Sequence, residues 1–143
     1  MFKNLLRVGV VLSLLAACAV AVADEISDAR AAGIRILENL EQRKNAGVWS
    51  SGISDWFKER MTRDAFLANM TTVQAQLGGI ASERKLVQQN RTESNPPTGY
   101  TGPIFSFMFA TTFPAAKTYE SVVMIREGGI YKVSGLNWIP NPN

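Results

Sequence analysis

IFSFMFATTF, residues 104–113, sets Phe105, Phe107 and Phe109 at every second position, with Ile104, Ser106, Met108 and Ala110 between them. A period of two is that of a β-strand, in which successive side chains point to opposite faces. The three rings therefore share one face, and a row of aromatic rings needs an apolar cover. After a turn at Pro114-Ala115-Ala116, Thr118–Arg126 is predicted as the next strand. Gly128-Gly129 is a two-residue hairpin signal, and Ile130–Ile139 returns as the last strand.

Upstream, Ser94–Pro103 holds three prolines and two glycines and reads as a loop. Ala81–Thr92 reads as a polar strand, with Arg84, Leu86 and Gln88 on one side and Lys85, Val87 and Gln89 on the other. Its charge marks an edge or a solvated face.

Before Gly78 the period changes. Ile26, Ala29, Gly33, Ile36, Leu37 and Leu40 recur at three- and four-residue steps, predicting an amphipathic helix over Asp24–Lys44 that stops at Asn45-Ala46-Gly47. Trp49, Ile53, Trp56 and Phe57 predict a second, shorter helix over Trp49–Arg60, its aromatics packed on the sheet. Thr62 is the predicted cap of a third, with Phe66, Met70, Val73 and Leu77 as its buried stripe and Gly78-Gly79 as its end. Helices followed by strands argue an α+β fold: three N-terminal helices packed on one face of a four-stranded antiparallel sheet.

The first residues have the layout of a secretory signal. Lys3 and Arg7 are basic, Val8–Ala17 is apolar, and Ala21-Val22-Ala23 ends in small residues before Asp24-Glu25. The apolar stretch to Ala23 falls short of the roughly 20 residues of a spanning helix. Two cleavage routes are open: after Ala23, or before Cys18, which follows Leu15-Ala16-Ala17 as in the lipobox of bacterial lipoproteins. Cleavage after Ala23 is favoured, because the segment beyond Cys18 is apolar rather than a polar tether. Residues 1–23 are then a signal peptide and 24–143 one α+β domain. Either route places the domain outside the cytoplasm, in the periplasm or lipid-anchored at the cell envelope. A lone cysteine forms no internal disulfide.

The chain of 143 residues has a formal net charge of +3. Setting aside Lys3 and Arg7 leaves 13 basic residues against 12 acidic. Without a basic run, nucleic acid is not an expected partner, and the membrane enters only through a lipid on Cys18.

Several local strings resemble a known family. NAGVW after the first helix, QAQLG closing the third, SERKL opening the first strand and ESVVMIREGGIYKVSGL across the last hairpin are similar to the bacterial exported proteins of domain of unknown function 4019. The resemblance spans about Ala32–Ile139. It implies a small exported domain with a cystatin-like or NTF2-like arrangement of helices on a curved sheet, and it implies no activity. The family often carries tryptophan where Ile53 and Phe66 stand, and arginine where Gln74 stands.

The chain has no histidine. That excludes Ser-His-Asp and Cys-His centres within one chain, and no metal site or cofactor motif is visible. One constellation remains. Glu120 shares strand parity with Val122 and Met124, and Arg84 shares parity with Leu86. A core-facing carboxylate needs a partner, and Arg84 is the expected one. An ion pair that fixes packing is the first reading of this pair. The second is a pocket between helices and sheet containing Glu120 and Arg84, with Tyr131 and Trp138 as candidate lining. Three functions follow in order: a binding module for an envelope protein, peptide or small apolar ligand; an assembly partner acting by strand addition near Arg84; and a small hydrolase or isomerase using Glu120 as base.

Overall fold

The computed structural model describes the backbone of residues 2–94 and 99–143, and the side chains of 20–94 and 99–143. Its elements are α1 (Phe2–Glu41), α2 (Asn45–Ser51), α3 (Asp55–Lys58), α4 (Arg63–Leu77), β1 (Glu83–Glu93), β2 (Pro103–Thr112), β3 (Lys117–Glu127) and β4 (Ile130–Pro140). The side chains of Lys3, Arg7 and Cys18 lie outside the described set, as do Pro96 and Pro97 of the predicted loop.

The sheet is antiparallel with order β1-β2-β3-β4, so the chain is α+β. Phe105, Phe107 and Phe109 are at most 2% exposed and form the row on which the helices lie. Burying each ring contributes about 1.5–3 kcal/mol. Val122, Met124 and Val133 continue that face, and Ala29, Leu37, Leu40, Phe66 and Met70 cover it from α1 and α4. Gly33 marks the close approach of α1 to β3: an added Cβ would stand 3.2 Å from Val122 Cγ1. The cost of glycine in a helix, about 0.5–1 kcal/mol, is offset by that contact. Gly128 and Gly129 take φ of 58° and 79°, so both centres of the β3–β4 turn are left-handed, as a type I′ hairpin requires. The predicted Thr62 cap is present, accepting from the Ala65 N–H at 3.2 Å.

Three expectations are corrected. The first helix ends at Glu41 rather than at Asn45-Ala46-Gly47, because Arg43 turns the chain with φ 59°. Asn45 begins α2 instead. Its amide pairs reciprocally with Gln74 of α4 at 3.1 and 2.7 Å, and Gln74 Nε2 also donates to the Leu40 carbonyl at 2.6 Å. That bond is a second donor to a carbonyl at the end of α1, which the Arg43 N–H also meets at 2.9 Å.

The predicted helix Trp49–Arg60 is broken in two, so four helices precede the sheet among the described residues. Gly52-Ile53-Ser54 joins the edge of β4 in a parallel bridge, with Val133 N–H on the Gly52 carbonyl and Ser54 N–H on the Val133 carbonyl. Ile53 is fully buried there. Ser54 then caps α3 by accepting from the Phe57 N–H at 3.1 Å. The aromatics divide accordingly. Trp49 and Phe57 pack on Phe66 of α4, at 5.3 and 6.3 Å between centroids, so this contact is helix on helix. Trp56 turns away, towards Val123 and Ile125 on the other face of the sheet.

The third correction is in β1. Its pairing with β2 shifts between Leu86 and Gln88, a β-bulge at Val87. Arg84 and Leu86 keep the predicted face, but Gln88 moves to the outer side and Gln89 to the inner, where it accepts from Arg30 of α1 at 3.1 Å.

Candidate functional site

Glu120 sits mid-β3, between Phe109 of β2 and Trp138 of β4, and is 1% exposed. Its carboxylate receives four donors. Oε2 accepts from Arg84 Nε at 2.7 Å and Thr111 Oγ1 at 2.5 Å. Oε1 accepts from Trp138 Nε1 at 3.0 Å and Arg84 Nη2 at 3.3 Å. The two arginine contacts form a bidentate fork, the strong form of such a pair. Arg84 Nη2 also bonds Glu41 Oε1, and Glu41 Oε2 accepts from the Ala81 N–H at 3.3 Å. Burial by itself would disfavour the charged guanidinium. The hydrogen bonds and charges of Glu120 and Glu41 outweigh it, so Arg84 is held above its ordinary range, firmly protonated.

This cluster joins every strand to α1: β1 through Arg84, β2 through Thr111, β3 through Glu120, β4 through Trp138, and the end of α1 through Glu41. A glutamate in the last turn of a helix opposes the helix dipole, and its pairing with Arg84 offsets that. An ionised carboxylate offers about four lone-pair positions. Glu120 has four donors, so no lone pair is left to take a proton from a substrate, as a general base must. The geometry therefore favours an ion pair that fixes packing over a catalytic carboxylate.

Of the residues singled out in the sequence, Glu120, Arg84 and Trp138 are brought together and Tyr131 is not. Tyr131 pairs with Arg126 at the far end of β4, seven residues from Trp138, or about 23 Å along a strand. There it packs edge-to-face on Phe105 at 5.7 Å. Burial pushes its phenol upward, with Arg126 pulling the other way.

Trp138 has two sides. Its indole N–H faces the cluster, where a cavity of about 30 Å3 touches Glu41, Gln74, Glu120 and Trp138, space for about one water. It also walls a larger groove of about 410 Å3 between α4 and the adjoining ends of β3 and β4. Phe57, Met61, Met70, Val73, Leu136 and Trp138 make this groove largely apolar, while Asn69, Gln76, Lys117, Thr118 and Asn137 supply its polar groups. That composition, apolar with a few polar groups, is typical of small-molecule sites. Glu41, Thr111 and the α4 side of the groove escaped the sequence reading. Thr111 alone carried a signal, since it continues the parity of Phe105, Phe107 and Phe109. No group of three or more His, Cys, Asp or Glu side chains stands together as a metal site among the described residues.

The family described as Protein of unknown function (DUF4019) matches residues 32–136, which takes in α4, β1, β2, β3, β4 as far as Leu136, and Glu41, Arg84, Thr111 and Glu120 of the cluster, with Trp138 two residues beyond. The chain belongs to this family. No curated protein and no solved structure matches it. Gln74 closes the end of α1 and borders the small cavity.

Proposed function

We propose that the chain is a non-catalytic binding module exported to the bacterial cell envelope, and that its ligand site is the groove walled by Trp138. The observation that carries this reading is the pairing of an open apolar groove with a rigid back wall. The Trp138 indole is held by a buried glutamate that is itself held by Arg84 and Thr111. A wall fixed before a ligand arrives lowers the ordering cost of binding. The saturated Glu120 weighs against the hydrolase or isomerase. Strand addition at β1 is weighed down by the bulge at Val87 and by Glu83, Lys85, Arg91 and Glu93 along that edge, the features with which proteins protect free edges.

The test is a screen of small envelope amphiphiles by NMR on the 24–143 protein. Binders should shift the amides of Met70, Val73, Thr118 and Leu136 together. Shifts confined to β1, or none with any probe, would refute the groove as the site.

Export is supported by the first 23 residues. Val20 and Val22 are 62% and 40% exposed, and the first buried side chain among the described residues is Ala29. Removing residues 1–23 is accordingly expected to leave the thermal midpoint unchanged within about 2 °C, since surface changes seldom exceed ±0.5 kcal/mol. The protein recovered from the envelope should begin at Asp24 by intact mass. A mass that retains residues 1–23 would refute cleavage, and a lipidated mass beginning at Cys18 would select the other route.

A further inference from the structure

One polar atom in the groove wall has no partner. Thr118 is 5% exposed, and its buried Oγ1 has no hydrogen-bond partner among the described residues. Its neighbours do not provide one: Thr111, opposite it on β2, commits its hydroxyl to Glu120, and Pro140, opposite it on β4, has no N–H to give. Buried polar side chains nearly always find a partner, and an exception calls for an explanation.

The second observation is charge. Of the residues around the groove, only Lys117 is charged, and among the described residues its ammonium forms no ion pair. A cation without a counterion beside an apolar cleft favours an anion there.

We infer that the groove selects an amphipathic anion: a single apolar chain along Met70, Val73, Leu136 and Trp138, and a carboxylate head. An oxygen of the head accepts the Thr118 hydroxyl, and its charge is met by Lys117 at the strand start. This rests on the groove being a ligand site and adds the class of ligand. The volume, about 410 Å3, lies at the small end of the range for small-molecule sites. It suits a free single-chain acid rather than a bilayer surface.

Calorimetry on the 24–143 protein tests this with decanoate and with decanol, its uncharged counterpart. Decanoate should bind about fivefold more tightly, the effect of a partly exposed ion pair. Lys117→Met should abolish that preference and Lys117→Arg should keep it. Thr118→Val, nearly the same shape, should weaken decanoate binding about fivefold, while the thermal midpoint of the free protein holds or rises because a buried hydroxyl without a partner is gone. A merely structural threonine would not separate those two readouts. Equal binding of decanoate and decanol in the groove would overturn the anion preference and leave the ligand site standing. Binding of neither would remove both. Undiminished decanoate affinity in Thr118→Val would overturn the assignment of the hydroxyl. Attachment only to phosphatidylglycerol vesicles would overturn the free acid in favour of a membrane surface.

Discussion

Arg84→Met is expected to destabilise the domain by about 3–5 kcal/mol, the usual loss when one partner of a buried ion pair is removed. For a domain of this size that lowers the thermal midpoint by on the order of 10–15 °C. The reason is what remains. Arg84 is the cationic partner of both Glu41 and Glu120, whose side chains are 8% and 1% exposed. Without it two carboxylates are left in the interior, each short of a counter-charge. Glu120→Gln removes one charge and keeps the shape, so alone it should cost less than Arg84→Met. Arg84→Met with Glu120→Gln should recover part of the loss, and adding Glu41→Gln should recover more. Such non-additivity is the signature of groups in one network.

Urea midpoints of these variants, with an unchanged slope, are the measurement. A midpoint for Arg84→Met equal to that of the parent would refute the buried network. It would also remove the argument that Trp138 is held in place.

The pair Glu120–Arg84 was legible in the sequence because each residue declares its face by strand parity. Glu120 alternates with Val122 and Met124, and Arg84 with Leu86. The rest of the cluster was hidden for different reasons. Glu41 stands on a helix where the apolar period had already named Leu37 and Leu40 as the buried face, and only the turn at Arg43 and the crossing of α1 over the sheet bring it to Arg84. Trp138 was visible as an aromatic of the last strand, yet Tyr131, equally aromatic on the same strand, lies elsewhere. Parity assigns a face and not a place along it, and the register shift between Val123 and Met124 alters even the face pairing across β3 and β4. The bulge at Val87 has the same effect on Gln88. A bulge moves one residue out of step without leaving a mark in the hydrophobic pattern, since Val87 and its polar neighbours suit either face of an edge strand. The break at Gly52–Ser54 had a mark, in Gly52 itself, but helical spacing of Trp49, Ile53 and Phe57 concealed it. Ile53 is buried as that spacing requires, in a strand-like bridge rather than in a helix. The change from helical to alternating period at Gly78-Gly79 survived all of these local errors, because it rests on many residues at once.

Phe107→Ala should cost about 3–5 kcal/mol, the range for emptying the site of a buried ring. Phe107 is 1% exposed and pairs between Gln89 of β1 and Val122 of β3, in the middle of the sheet. The space it leaves faces α1 and α4, which are fixed by the other members of the same core, among them Leu37, Leu40 and Met70. Helices held at many points cannot close on a single gap, so a cavity term adds to the lost burial. Met108→Ala is the necessary counterpart. Its side chain is only half-buried and points to the opposite face, so truncating it should cost less than about 1 kcal/mol. Equilibrium denaturation of the two variants side by side thus measures the alternation in IFSFMFATTF directly. Equal costs, or the larger cost at Met108, would mean that the two faces of β2 are not a core face and an outer face. The helices could not then be sheltering the phenylalanine row. A large asymmetry in the expected direction would fix the face on which α1 lies, and with it the side of the sheet from which Glu120 meets Arg84 and Trp138 meets the groove.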